Sequence, residues 1–163
     1  MPFTPHADRP LAASPGLEAS AILARARALK QAAGSGAAVR PLLGKNLALM
    51  CASEGPEAEL FRQAGGALGA RVATVRATLS DTSTHVDILR TAHLLGRLYD
   101  GVECQGMAHG LVAQVSAAAS VPVFDAVASS GHPSARLAAE LDDADPRANR
   151  YFVVQAVLVE SLA

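Results

Sequence analysis

The most constraining feature of this chain is the regular alternation of short apolar runs with longer segments of helical periodicity. An apolar run at 47–51 precedes a helical segment at about 57–68, and a second run at 71–75 precedes a helical segment at about 84–98. Short apolar runs bounded by glycine and proline are typical of parallel strands, which helices cover on both faces. The alternation therefore predicts a parallel sheet with helices on both faces and right-handed crossovers.

The remaining elements complete an α/β domain. Periodicity predicts further strands at 101–104 and 121–125, and further helices at 17–31, 108–119, 133–141 and 147–162. We predict one domain at 16–163 that contains a four-stranded parallel sheet with helices on both faces. Residues 1–15 are predicted to form a flexible leader, because they lack the basic start and apolar core of a signal peptide.

Composition argues against several classes of partner. A net charge of −1 gives no electrostatic reason to bind nucleic acid or an anionic membrane. The stretch 104–124 contains no Asp, Glu, Lys or Arg, but its Gln, His and Pro residues argue against a membrane-spanning helix. Cys51 and Cys104 both end apolar runs, which is typical of buried reduced thiols. We therefore predict a cytoplasmic protein that needs no metal or cofactor.

The predicted site lies beyond the carboxyl ends of the strands, where open parallel sheets bind their ligands. The second helix begins with Glu57 and Glu59, shortly after Glu54. These carboxylates either complement the helix dipole or favour a cationic or neutral ligand such as an amine or amide. A metal site that uses Glu54 and His132 is a third alternative, which no ligand spacing supports.

Several short pieces occur along the chain in a recognisable order and spacing: Gly44-Lys45, Ala67-Leu68-Gly69-Ala70, Thr91-Ala92, Tyr99-Asp100-Gly101, Val121-Pro122-Val123, His132-Pro133 and Ala148-Asn149-Arg150. Together they resemble the carbamoyl-phosphate domain of the aspartate and ornithine carbamoyltransferase family. The resemblance implies that 146–163 is the family's returning C-terminal helix. It also implies that 141–147 replaces the second domain, which in the family binds the amino acid that accepts the carbamoyl group.

The resemblance also shows where this chain departs from the family. The family's Ser-Thr-Arg-Thr-Arg phosphate loop falls on the segment 55–59, and both arginine positions carry glutamate, at Glu57 and Glu59. The family's next arginine falls on Gln105, and the glutamine of its His-Pro-x-Gln motif falls on Ala135. Only His132 and Pro133 of these motifs survive.

We predict a candidate ligand site without catalytic residues or metal ligands. His132 is either a surviving ligand contact or a structural cap of the helix that begins at Pro133. The candidate site comprises Ser53, Glu54, Gly55, Glu57, Glu59, Thr91, Gln105, His132, Pro133 and Ser134.

The resemblance and these departures predict a non-catalytic carbamoyltransferase-like protein that serves as an oligomeric interaction or regulatory module. Because family members form trimers through this domain, the resemblance implies a homotrimer. A full-length carbamoyltransferase is an alternative partner. The alternative functions are a small-molecule sensor with a repurposed pocket, and a residual aspartate or ornithine carbamoyltransferase-type transferase.

Overall fold

The computed structural model describes residues 17–37, 39–142 and 145–163. The predicted leader lies outside these residues, and the extent of the domain stays a prediction. None of the helices in the described part of the chain is long and apolar enough to cross a membrane. The elements, in chain order, are α1 Ala19–Gly34, β1 Asn46–Cys51, α2 Pro56–Ala67, β2 Arg71–Arg76, α3 His85–Leu98, β3 Gly101–Gln105, α4 His109–Ala118, β4 Val123–Asp125, a 3₁₀ helix Pro133–Glu140, and α5 Pro146–Leu162.

The four strands form one parallel sheet in the order β2-β1-β3-β4. Leu47 on β1 lies opposite Val72 on β2 and Gly101 on β3, and Val102 on β3 lies opposite Val123 on β4. Every residue of β3 is buried, whereas β2 at the sheet edge is largely exposed. The predicted four-stranded parallel sheet is therefore confirmed.

The core lies on both faces of this sheet because successive strand side chains point in opposite directions. Leu47 and Leu49 pack with residues of α1, α2, α5 and the 3₁₀ helix, including Phe61. Ala48 and Met50 pack on the other face with residues of α3 and α4. Helices on both faces, as predicted, thus remove β1 and β3 from water.

Most element boundaries lie within a few residues of those predicted, and local chemistry explains several of them. Thr84, the predicted first residue of α3, is instead its N-cap, and it forms a reciprocal capping box with Asp87. The strand predicted from Val121 begins at Val123. The predicted α-helix at 133–141 is a 3₁₀ helix, the tighter winding common in short helical pieces.

The backbone at Ala126, directly after β4, has an unusual conformation. Its φ of 54° lies in the left-handed region, which L-residues with a Cβ adopt at an energetic cost. The strain occurs in the segment that leads into the predicted site, from Ala126 to His132.

We expect Ala126→Gly to stabilise the protein by about 1 kcal/mol, because glycine adopts this conformation without steric strain. Thermal unfolding should show a midpoint about 2–4 °C higher. Ala119→Gly is the control, since Ala119 has an ordinary φ of −75°. There the same substitution should destabilise the protein by increasing the freedom of the unfolded chain. Equal shifts for the two variants would contradict the assigned strain.

Candidate functional site

A cavity of about 920 Å³ opens between the start of α2, the segment after β4, the 3₁₀ helix and the start of α5. Its volume lies in the range of small-molecule sites. Much of the lining is aliphatic, and all four of these parts contribute polar groups to it. The lining includes Pro56, Leu60, Ala128, Ala135, Ala138 and Ala139, together with Glu57, Ser130, Arg136, Asn149 and Arg150.

The start of α2 is dominated by carboxylates that hold a neighbouring arginine. Arg62 Nη2 donates to both carboxylate oxygens of Glu54 at 2.6 Å, and Arg62 Nη1 lies 3.5 Å from Glu59 Oε2. Arg62 Nη2 also donates to Thr74 Oγ1 on β2 at 2.8 Å. Each ion pair is solvent-exposed and individually weak. Together these contacts commit the Arg62 guanidinium to protein acceptors.

Five of the predicted residues lie around this start of α2, and of these only Glu57 lines the cavity, while Glu59 contacts Arg62. Ser53 and Glu54 are exposed in the loop after β1, and Gly55 is the N-cap of α2 without a side-chain cap. Glu57 lies on the cavity wall in the first turn of α2. The Glu57 carboxylate therefore faces the space in which a ligand would bind.

Gln105 ends β3 at the same edge of the sheet, as predicted. It is only 6% exposed, and its side-chain Nε2 is buried without a hydrogen-bond partner. Strand alternation places its side chain on the same face as Gly101, whose Cβ direction points at Leu47 and Phe124. An unpaired buried amide typically costs about 1–3 kcal/mol. Gln105 is thus a polar group that the fold leaves unsatisfied.

His132 adopts the capping role, one of its two predicted alternatives. Its Nδ1 accepts the Ser134 N–H at 3.1 Å and lies 2.8 Å from Ser134 Oγ. His132 is 4% exposed, Ser134 is fully buried, and Pro133 begins the 3₁₀ helix. These three residues therefore fix the start of one cavity wall.

Thr91 is not brought to the cavity. It lies in the middle of α3, which packs against the opposite face of the sheet from α2, α5 and the 3₁₀ helix. The other predicted residues converge on the carboxyl edge of the sheet. Within the described residues, no group of three His, Cys, Asp or Glu is placed to hold a metal ion.

Sequence reasoning missed the charged residues that shape the segment after β4. Glu103 is fully buried on β3, and its carboxylate accepts the Val127 N–H at 3.0 Å and the Ala128 N–H at 3.4 Å. Arg150 on α5 donates through Nη2 to the carbonyl oxygens of Val127 and, at 3.1 Å, Ser129. The buried Glu103 side chain therefore holds the N–H groups of this segment, and the Arg150 guanidinium holds its C=O groups.

Burial is the main influence on the pKa values of Glu103 and Arg150. Burial raises the pKa of Glu103 to about 8, against a smaller lowering effect of the Val127 and Ala128 N–H donors. Burial also lowers the pKa of Arg150 to about 10, opposed by the negative charges of Glu103 and Glu57. The sequence did contain a signal for Glu103, because it is a charged residue inside the apolar run 101–104.

A second missed pair lies nearby. His109 Nδ1, at the start of α4, is 2.6 Å from Asp125 Oδ2 at the end of β4. The His109 side chain is 64% exposed, so this contact joins α4 to the sheet at the surface.

We expect the stability of the protein to fall as pH rises from about 4.5, the usual pKa of a glutamate, to about 8. The folded state binds the Glu103 proton more tightly than the unfolded state, so the contribution is complete at low pH and is lost through that window. Glu103→Gln should remove this dependence, because the amide does not titrate. Between those two pH values, the free energy of unfolding of wild type should therefore fall relative to that of Glu103→Gln by at most about 1.4 kcal/mol per pH unit. Urea unfolding at pH 5, 7 and 8.5 measures the difference.

Glu140→Gln, at an exposed carboxyl of the 3₁₀ helix, is the control and should retain the wild-type dependence. Parallel pH curves for wild type and Glu103→Gln would contradict the assigned protonation of Glu103.

Comparison with known proteins shows which proteins this chain resembles in sequence and in fold. No protein-family model matches the chain. Ornithine carbamoyltransferase of Haemophilus influenzae strain PittGG is 32% identical over 118 residues, which are 72% of this chain and 35% of that protein. The structure of ornithine carbamoyltransferase from Pyrococcus furiosus aligns with a TM-score of 0.65 and 25% identity, over 76% of this chain and 40% of that one.

The catalytic subunit of M. jannaschii aspartate transcarbamoylase aligns with a TM-score of 0.60 and 22% identity, over 74% of this chain and 40% of that one, and so supports the fold. The chain thus spans well under half the length of the relatives it matches. By sequence and by fold, it belongs to the ornithine and aspartate carbamoyltransferase family.

Proposed function

We propose that this chain is a non-catalytic carbamoyltransferase-like protein that serves as an oligomeric interaction or regulatory module in the cytoplasm. The observation that carries the proposal is the acidic start of α2. Glu57 faces the cavity there, while Glu54 and Glu59 hold Arg62. Because the relatives are carbamoyltransferases, carbamoyl transfer is the reaction for which this chain has to be tested.

Electrostatics opposes the binding of carbamoyl phosphate at this cavity. The ligand is a small dianion, for which arginine forks and helix N-terminal amides provide the strongest contacts. The family resemblance places the two phosphate-binding arginines at Glu57 and Glu59, so the local charge differs by four units. One charge pair at 4 Å is worth ~4 kcal/mol at an effective dielectric of ~20, and ~1.4 kcal/mol is a tenfold change in affinity. Even strong solvent screening leaves a loss of several orders of magnitude.

The nearby cationic side chains do not replace the arginine contacts to the phosphate. Arg62 is engaged by carboxylates, and Arg150 donates to the carbonyl oxygens of Val127 and Ser129. Gln105 stands where the resemblance places a further arginine, and its amide is uncharged. Arg136 lines the cavity, but it is exposed to solvent on the 3₁₀ helix.

We further propose that the short connection between the 3₁₀ helix and α5 takes the place of the family's second domain. Side-chain contacts fasten the described part of this connection. Asn149 Nδ2 donates to the carbonyl oxygens of Ala138 at 3.2 Å and Asp142 at 3.1 Å, and Lys30 Nζ lies 2.7 Å from Asp142 Oδ2. Such anchoring supports a connection that is stable without further protein packed upon it.

Calorimetric titration with carbamoyl phosphate tests the proposal. We expect no binding with a dissociation constant below the millimolar range. Glu57→Arg combined with Glu59→Arg should strengthen binding by at least about tenfold, because the anion then meets cations at the start of α2. Glu18→Arg combined with Glu140→Arg makes the same change in net charge away from α2, and it should have little effect. Sub-millimolar binding by the wild-type protein would overturn the proposal.

Assembly is the second part of the proposed function. We propose a homotrimer, as the family resemblance implies, with a full-length carbamoyltransferase as the alternative partner. Multi-angle light scattering at tens of micromolar should give three times the mass of the chain. A monomer alone would contradict the homotrimer, and co-purification with a carbamoyltransferase from the source cell would then identify the heteromeric form.

The unsatisfied amide of Gln105 supports a second candidate function, a small-molecule sensor. The carbonyl oxygen of an uncharged amide would accept the missing hydrogen bond from Gln105 Nε2, and an amine would be attracted by the carboxylate of Glu57. Thermal shift against a panel of such compounds distinguishes a sensor from a module that acts only through assembly. Stabilisation that persists in Gln105→Leu would place the ligand elsewhere.

A further inference from the structure

A second cavity, of about 140 Å³, lies where the last turns of α1 and α2 meet the first half of α5. Among the described residues, none lines both this second cavity and the cavity of the candidate site. Its volume is close to that of an engineered apolar cavity of about 150 Å³ that binds a single aromatic ring. Its wall includes Leu29, Ala32, Leu68, Tyr151, Phe152 and Gln155.

The wall of the second cavity carries no charged side chain among the residues that the structure describes. Leu29 and Leu68 belong to the core cluster that covers one face of the sheet, and Phe152 packs against that cluster. A charged ligand would lose hydration here without meeting an opposite charge, which is strongly unfavourable. The second cavity therefore suits an uncharged and largely apolar ligand.

Gln155 is the polar side chain that the fold buries at this wall. It is 5% exposed, and its Nε2 donates to the carbonyl oxygen of Ala64 at 3.2 Å and to the Tyr151 hydroxyl oxygen at 3.1 Å. These two acceptors fix the orientation of the amide, because only its nitrogen can donate to them. Within the described part of the chain, no donor is bonded to Gln155 Oε1.

Tyr151 contributes a hydrogen-bond donor beside this acceptor. Its hydroxyl oxygen accepts from Gln155, and no acceptor among the described residues takes its proton. Burial raises the pKa of the Tyr151 hydroxyl, so the group keeps that proton at neutral pH. The two side chains are already in contact, and one hydroxyl group of a ligand can therefore accept from Tyr151 and donate to Gln155.

We propose that the second cavity binds an uncharged one-ring molecule that carries a hydroxyl group, as phenols do. The hydroxyl group bonds to Tyr151 and Gln155, and the ring covers the aliphatic wall, which a single water molecule cannot do. Phe152, whose ring lies edge-on to that of Tyr151 at 5.2 Å, adds an aromatic contact. This binding is independent of the proposed function, because it uses a different cavity.

Titration with phenol, followed by protein NMR, tests the proposal. We expect saturable binding in the millimolar range, since phenol has only about seven non-hydrogen atoms. Tyr151→Phe removes the hydroxyl group alone, and it should weaken phenol binding by about fivefold while leaving toluene binding unchanged. Tyr99→Phe is the matched control, because Tyr99 is the other of the two tyrosines and lies at the end of α3. It should bind phenol as the wild type does.

Filling the second cavity gives a steric test. Ala32→Leu adds bulk at the wall and should abolish the binding of both phenol and toluene. Ala21→Leu makes the same change elsewhere on α1, at a residue of similar exposure that does not line the cavity, and it should leave both unchanged. The proposal is overturned if the wild type shows no saturable phenol binding, which would leave water as the occupant. Equal effects of the two members of either variant pair would also overturn it.

Discussion

The constraint on which the rest of the structure depends is the burial of β1 and β3 on both faces. Every residue of β3, and every residue of β1 after Asn46, is buried. Two parallel central strands can be shielded from water only when helices pack on each face of the sheet. The helices α1, α2 and α5 with the 3₁₀ helix cover one face, and α3 and α4 cover the other. The carboxyl ends of the strands are thereby gathered at one edge, where the cavity opens.

The same burial explains the polar chemistry of that edge. Glu103 and Gln105 belong to the most deeply buried strand; Glu103 is fully buried, and Gln105 is only slightly exposed. The fold satisfies Glu103 with backbone N–H donors of the segment after β4, and it places Arg150 against the carbonyl oxygens of that segment. Gln105 receives no comparable partner. One polar side chain of β3 thus shapes the cavity wall, while the side-chain Nε2 of the other remains without a hydrogen-bond partner.

The chain shares a scaffold with the carbamoyltransferases, but the scaffold does not determine the chemistry of the site. The sheet, its crossovers and the cavity between α2 and the 3₁₀ helix require only the apolar pattern and the turns. Ligand binding requires particular charges at particular positions, and the start of α2 is acidic here. A family relationship established over about three quarters of the chain is therefore compatible with a different role for its site.

The sequence by itself determined the elements, the parallel sheet and the edge at which the site lies, because these follow from local periodicity, from glycine and proline, and from crossover geometry. It also placed the acidic start of α2, since Glu57 and Glu59 belong to one local turn. It left open the role of His132, whose contact with Ser134 in the structure caps the 3₁₀ helix. Thr91 was grouped with the site by the family resemblance, yet α3 carries it to the other face of the sheet. Only the tertiary structure brought Glu103 and Arg150 to the same segment, because they are 47 residues apart in sequence and meet through the packing of α5 on the sheet.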